Sequence, residues 1–271
     1  PTLKSTTVTK SETPTGKKAT KKIKGFQRSL RTMNQRITAR IKALKEQLAS
    51  NKRPERGQPF PKDKPIPEYV KNGVKNFSCI SVRDQNSIDI LEVINQKGTI
   101  TLDPCLIYDY SKFEIKPNIN QKYILVYAFE FTDKDILEIK TFAKNKSLKI
   151  ISIGFNTKHS WCDENLMVLD PLEFLGYYRS ASYVFTSTFH GTLFAIKYEK
   201  KFALRMNFTI ERKVNTILEE LRLTDQVIEN SVKECWENDI DYSYVDKKMS
   251  KKINHSRKFL FDSIDNFRTN E

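Results

Sequence analysis

Residues 184–204, VFTSTFHGTLFAIKYEKKFAL, set a strand, a short polar turn and a helix in succession. Val184 and Phe185 belong to a buried strand bounded by small hydroxyl residues. From Leu193 to Tyr198 the apolar residues are too dense for a loop and fit a helix lying against a sheet. Ser187, Thr188 and Thr192 are residues of the type that open helices, and Gly191 allows a close backbone approach. His190, one of only three histidines in the chain, therefore falls at a strand-to-helix junction. It would stand at the carboxyl end of a strand, the edge along which α/β sheets bind ligands.

The same alternation extends outward in both directions. FSCISV (77–82) and TITLD (99–103) read as strands flanking a helical SIDILEVI (87–94). YILVYAF (123–129), LKIISIGF (148–155) and NLMVL (165–169) are further strands. Thr132 opens a helix with Asp135 three residues on, a capping-box pattern. Asp170-Pro171 starts another, with proline in its first turn. Beyond the histidine come FALRM (202–206) and a long helix through IERKVNTILEELRL (210–223). Strands alternating with helices predict an α/β fold, a parallel doubly wound sheet of Rossmann-like type. No GxGxxG or P-loop is present, so the common dinucleotide and nucleotide fingerprints are absent.

Charge separates the chain into two texts. Residues 1–65 hold 18 Lys and Arg against four Asp and Glu, which is the entire formal net charge of +14. The remaining 206 residues balance 29 basic against 29 acidic side chains. Residues 1–20 are rich in Thr and Lys and read as a disordered tail. In 21–49, Ile23, Phe26, Leu30, Met33, Ile37, Ile41, Leu44 and Leu48 recur at helical spacing above a basic polar face. Such a helix suits oligomerisation, an anionic membrane surface, or packing on its own domain. Nucleic acid is the weakest partner, because no aromatics interleave with the charges. A proline-rich linker, 50–69, follows. Cys79, Cys105, Cys162 and Cys235 form no CxxC pair, and no apolar run is long enough to span a membrane. These features fit a cytoplasmic chain, with the basic helix able to lie at the inner membrane face.

The order of motifs in the body resembles the polysaccharide pyruvyl transferase family. ISVRDQNSIDIL is similar to its Ser-Val-Arg-acid segment, and TLDPCLI to the Asp-Pro segment that follows. YILVYAF is similar to the first strand of its second half. DPLEFLGYYRSASYVFTSTFHGTLFAIKYEKKF resembles its signature, ending in Phe-His-Gly. MNFTIERKVNTILEELRL and the stretch ending in FLFDSI fit its tail. The resemblance covers about residues 70–271. Thr188 stands where some members carry Arg and others Ser. The family has two Rossmann-like halves facing a cleft, as in GT-B glycosyltransferases. Residues 70–110 correspond to the last strand–helix–strand of the first half, whose remainder has no counterpart here. Residues 111–271 correspond to the C-terminal Rossmann-like domain.

The resemblance implies transfer of a pyruvyl unit from phosphoenolpyruvate to a saccharide of a surface polysaccharide, with no cofactor. That chemistry needs a proton donor and acceptor, and cations for phosphate and carboxylate. His190 suits the acid/base role. Arg83, which carries the Ser-Val-Arg match, is the leading anion-binding candidate. Ser187, Thr188, Gly191 and Thr192 would surround the substrate, with Arg205, Asn207 and Arg212 lining the same cleft. His159 and Trp161 fall in a loop after a strand, and His255 in the last helix reads as structural. Two other classes remain open. One is a non-catalytic remnant that binds a glycan or a partner; the other is a GT-B-type glycosyltransferase. A partner chain or a second copy could supply the missing half.

Overall fold

The computed structural model describes residues 65–154, 158–167 and 169–268. The tail 1–20, the helix 21–49 and most of the linker 50–69 lie outside the described residues, as do Phe155 and Val168 at two strand ends. The described chain begins with α1 (Glu68–Lys75), β1 (Ser81–Val82), α2 (Gln85–Val93), β2 (Thr99–Ile100) and α3 (Pro104–Ile107). Next come β3 (Tyr123–Tyr127), α4 (Asp133–Lys146), β4 (Lys149–Ile153), β5 (Glu164–Leu166), α5 (Pro171–Ser180) and β6 (Tyr183–Thr186). The chain continues through α6 (Phe189–Lys197), β7 (Lys201–Leu204), α7 (Phe208–Leu221), α8 (Val232–Glu237) and α9 (Tyr242–Arg268).

Five strands form one sheet in the order β5-β4-β3-β6-β7, every pair parallel. In β3 the side chains alternate between two layers, and both are buried. Tyr123 and Leu125 join a cluster with Tyr178 of α5, Leu193 of α6 and Val214 of α7. Ile124 and Val126 face the other way, toward Ile139 and Phe142 of α4 and Trp236 of α8. All four of those β3 residues are buried. Burial on both faces is what a parallel sheet between helical layers requires, and it explains why these strands are continuous apolar runs. The fold is α/β and Rossmann-like, as the alternation predicts.

The chain leaves β3 toward β4 and β5, then returns to place β6 and β7 on its other side. The switch point of the sheet is therefore the crevice between the carboxyl ends of β3 and β6. Helix starts follow the expected chemistry. Thr132 and Asp135 form the reciprocal capping box of α4, and Asp170 caps α5 with Pro171 behind it.

Residues 77–103 depart from the expected pattern. FSCISV and TITLD yield only the two-residue strands β1 and β2, paired parallel in a separate sheet around α2. Phe77 and Cys79 are exposed, and so is Ile100. Among the described residues no third strand lies beside them, so neither run gains the ladder bonds that would extend it. A small cluster of Ile66, Leu91 and Ile94, with Val70, Val74 and Val82 against it, holds this unit together. Helix α1 begins at Glu68, just inside the segment read as linker. Among the described residues, no helix is long and apolar enough to cross a membrane.

Candidate active site

The carboxyl edge is tied together before any ligand is considered. Ser187 Oγ accepts from the N–H groups of Phe129 and Glu130 at 2.8 and 2.9 Å, stitching the loop after β3 to that after β6. Thr188 is the N-cap of α6: its Oγ1 accepts from the Gly191 N–H at 3.0 Å. Thr192 Oγ1 donates back to the Thr188 carbonyl. A Cβ on Gly191 would stand 2.1 Å from Thr186 Oγ1, so only glycine fits against the strand end. Asn207 Nδ2 donates to the Ser187 carbonyl, and its Oδ1 accepts from the Ile210 N–H. Arg205 grips both oxygens of Asp135, whose carboxylate is buried at the start of α4. These six residues hold the frame of the edge.

A polar cluster lies beside that frame. His190, in the first turn of α6, is half exposed, and its Nε2 is 3.7 Å from Asp103 Oδ2. Arg83 Nη1 donates to the same oxygen at 2.8 Å. Asp103 Oδ1 accepts from the Cys105 N–H at 3.1 Å, so the carboxylate also caps α3. The Arg83 guanidinium sits 4.7 Å above the Phe189 ring, which in turn lies against His190. Burial works to raise the Asp103 carboxyl. The bonds from Cys105 and Arg83, and the charge of His190, outweigh it and hold the group below the usual carboxylate range. Burial pushes the adjacent Cys105 thiol far up, and the Asp103 charge adds to this, so it stays protonated. Three segments distant in sequence thus converge on one carboxylate.

A cavity of about 490 Å³ opens beside Asp103, between the β1–β2 unit, the start of α6, and helices α7 and α9. Arg83 and Arg212 share it; His190, Ser187, Thr188, Gly191, Thr192, Arg205 and Asn207 are not among its lining residues. His255, read from sequence as structural, also lines it. His159 and Trp161 pack on Phe131 in the loop after β4 instead, at ring distances of 5.1 and 5.5 Å. Burial lowers the His159 imidazole. Among the described residues, no group of His, Cys, Asp and Glu is arranged to hold a metal ion.

Asp103 is a candidate site residue that the sequence did not single out. Its signal was present in the Asp-Pro step of TLDP, but that pattern also explains itself as a helix cap. Its partners at 20 and 87 residues' remove leave no local trace.

The five-stranded parallel sheet, with His190 just past the carboxyl end of β6 and Arg83 and Asp103 brought against it from the β1–β2 unit, is the framework of a Rossmann-like domain. The chain belongs to the polysaccharide pyruvyl transferase family, whose model matches residues 59–204. The match contains Arg83, Asp103 and His190. Among solved structures, the glycosyltransferase SnogD from Streptomyces nogalater is similar at 11% identity and a TM-score of 0.42, over 72% of this chain and 60% of that one. The dodecameric iron-containing heptosyltransferase TibC, solved with ADP-D-beta-D-heptose, is similar at 12% identity and a TM-score of 0.33, over 64% of this chain. The chain spans 60% and 53% of the length of these two structures. No curated protein matches it in sequence.

Proposed function

We propose that this chain carries the proton-transfer centre of a pyruvyl transferase that acts on a saccharide of a surface polysaccharide, with phosphoenolpyruvate as donor and no cofactor. The observation behind the reading is the grouping of His190 and Arg83 on Asp103, within a match to the family. In the reaction, an acceptor hydroxyl adds to C2 of phosphoenolpyruvate and a proton is delivered to C3. A second hydroxyl then closes on C2 as inorganic phosphate leaves, taking up that hydroxyl's proton. The first step is proton-neutral, so one imidazole can serve it by accepting from the hydroxyl and donating to the carbon.

In this scheme Asp103 faces the imidazolium that forms in passing, as a carboxylate held in its charged form can. Arg83 supplies the cation for the donor's carboxylate or phosphate, its guanidinium being 41% exposed beside its bond to Asp103. The full chain, incubated with phosphoenolpyruvate and a panel of saccharides, should attach one pyruvyl group to an acceptor for each phosphate released. Mass spectrometry of the acceptor and phosphate release read together test this. Phosphate without a pyruvylated sugar, or no reaction across the panel, would contradict it.

A further inference from the structure

The cavity beside Asp103 has an apolar floor and a basic rim, and the two differ in what they ask of a ligand. Leu102, Leu106, Leu193 and Ile217 contribute the floor. Three carboxylates line the cavity, and each already has a partner. Asp103 holds Arg83, and Glu220 accepts Lys252 at 2.6 Å. Asp84 caps α2 through the N–H and hydroxyl of Ser87. The rim cations Arg212, Lys213 and Lys251 are in no such position: among the described residues, no carboxylate lies within ion-pair distance of them. Arg212 rests against the Phe208 ring, at 5.6 Å. Net positive charge thus surrounds a cavity of about 490 Å³, a size that holds a ring compound rather than a three-carbon acid. Thr101, Thr216 and Gln85 add hydroxyl and amide groups to its wall.

We infer that this cavity is the acceptor site and that it takes a saccharide bearing an anionic group, a phosphate or a carboxylate, held by Arg212 and Lys251. The inference rests on the pyruvyl transferase reading for the word acceptor. Its ligand chemistry rests on the rim, which belongs to α7 and α9 and lies beyond the family match. His190 does not itself line the cavity, but it touches Asp103 and Phe189, which do, so a sugar ring seated there would be separated from the imidazole by that wall. The basic rim would hold the charged end of that ligand away from the reacting hydroxyl.

Binding, measured by calorimetry on the full chain without phosphoenolpyruvate, tests this independently of turnover. The probes are glucose 1-phosphate, glucuronate, neutral methyl glucoside and inorganic phosphate. At least one anionic sugar should bind tenfold or more tighter than methyl glucoside, with the preference shrinking as salt rises. Which of the two anionic sugars binds distinguishes phosphate from carboxylate. The R212Q/K251Q variant should lose that preference, and R212K/K251R, which keeps both charges and reports on folding, should retain most of it. Equal binding of neutral and anionic sugars would overturn the inference. So would an unchanged preference in R212Q/K251Q, or inorganic phosphate binding as tightly as glucose 1-phosphate. A chain that binds anionic sugars but never turns over phosphoenolpyruvate would refute the proposed reaction and leave this site standing.

Discussion

Asp103 divides its two oxygens between a helix cap and a charged pair, Oδ1 to the Cys105 N–H and Oδ2 to Arg83 and His190. Arg205, by contrast, is an arginine at the same sheet edge whose charge is spent on Asp135, a carboxylate with 1% of its side chain exposed. Removing one member of a buried pair strands the other in a poor solvent, at a cost of about 3 kcal/mol. Arg205→Met should therefore lower unfolding stability by roughly that much, read by urea denaturation, because the Asp135 carboxylate loses its counter-ion. A loss below about 1 kcal/mol would mean that the pair does not hold α4 to the strand ends. From sequence, Arg205 and Arg83 look alike, each an arginine just past a strand. Only their partners differ, and those partners lie 70 and 20 residues away.

At the scale of elements, the β1–α2–β2 unit and α3 are held to the body through few polar links. The Leu102 N–H donates to Ser256 Oγ of α9, Arg257 donates to the Ile107 carbonyl, and Asp103 joins Arg83 near His190. The Asp103 link depends on pH. Its carboxyl is depressed in the folded chain, so it stabilises the fold above the ordinary aspartate value, about 3.9. That contribution is lost as pH falls through the lower folded value. The wild type should accordingly exceed D103N in stability at pH 7, and the gap should close as pH drops below about 4. A gap independent of pH would remove the charged pair from the account. The strands of this unit were only partly legible. FSCISV and TITLD carry the apolar content of interior strands, but strand length depends on neighbours to bond with, which composition does not record. Helix α6 was legible in its apolar body, while its start at Phe189 was settled by Thr188 winning the cap from other hydroxyls nearby. Helix α8 went unmarked because its six residues are too few to show a period, although Ser231 caps it and the Trp236 indole N–H donates to the Val184 carbonyl.

Across the whole molecule, the five-stranded sheet was readable because burial on both faces forces unbroken apolar runs, and those runs fall between capped helices. The placement of His190 at the carboxyl edge followed from that topology alone. Of the cavity, only Arg83 and Arg212 were named from the sequence; its walls come from β2, α6, α7 and α9, and Lys213 and Lys251 look in sequence like solvated helix surface. The central claim is that His190 and Asp103 act as one unit in pyruvyl transfer. It is tested most directly by phosphate release from phosphoenolpyruvate, measured with a productive acceptor for the wild type, H190Q, D103N and the double variant. Loss of a positioned proton-transfer group typically costs on the order of 10²–10⁴ in rate, and H190Q should fall in that range. Adding D103N to H190Q should then lower the rate little further, because groups that act together are not additive. Turnover by H190Q at the wild-type rate, or losses that multiply in the double variant, would contradict the account.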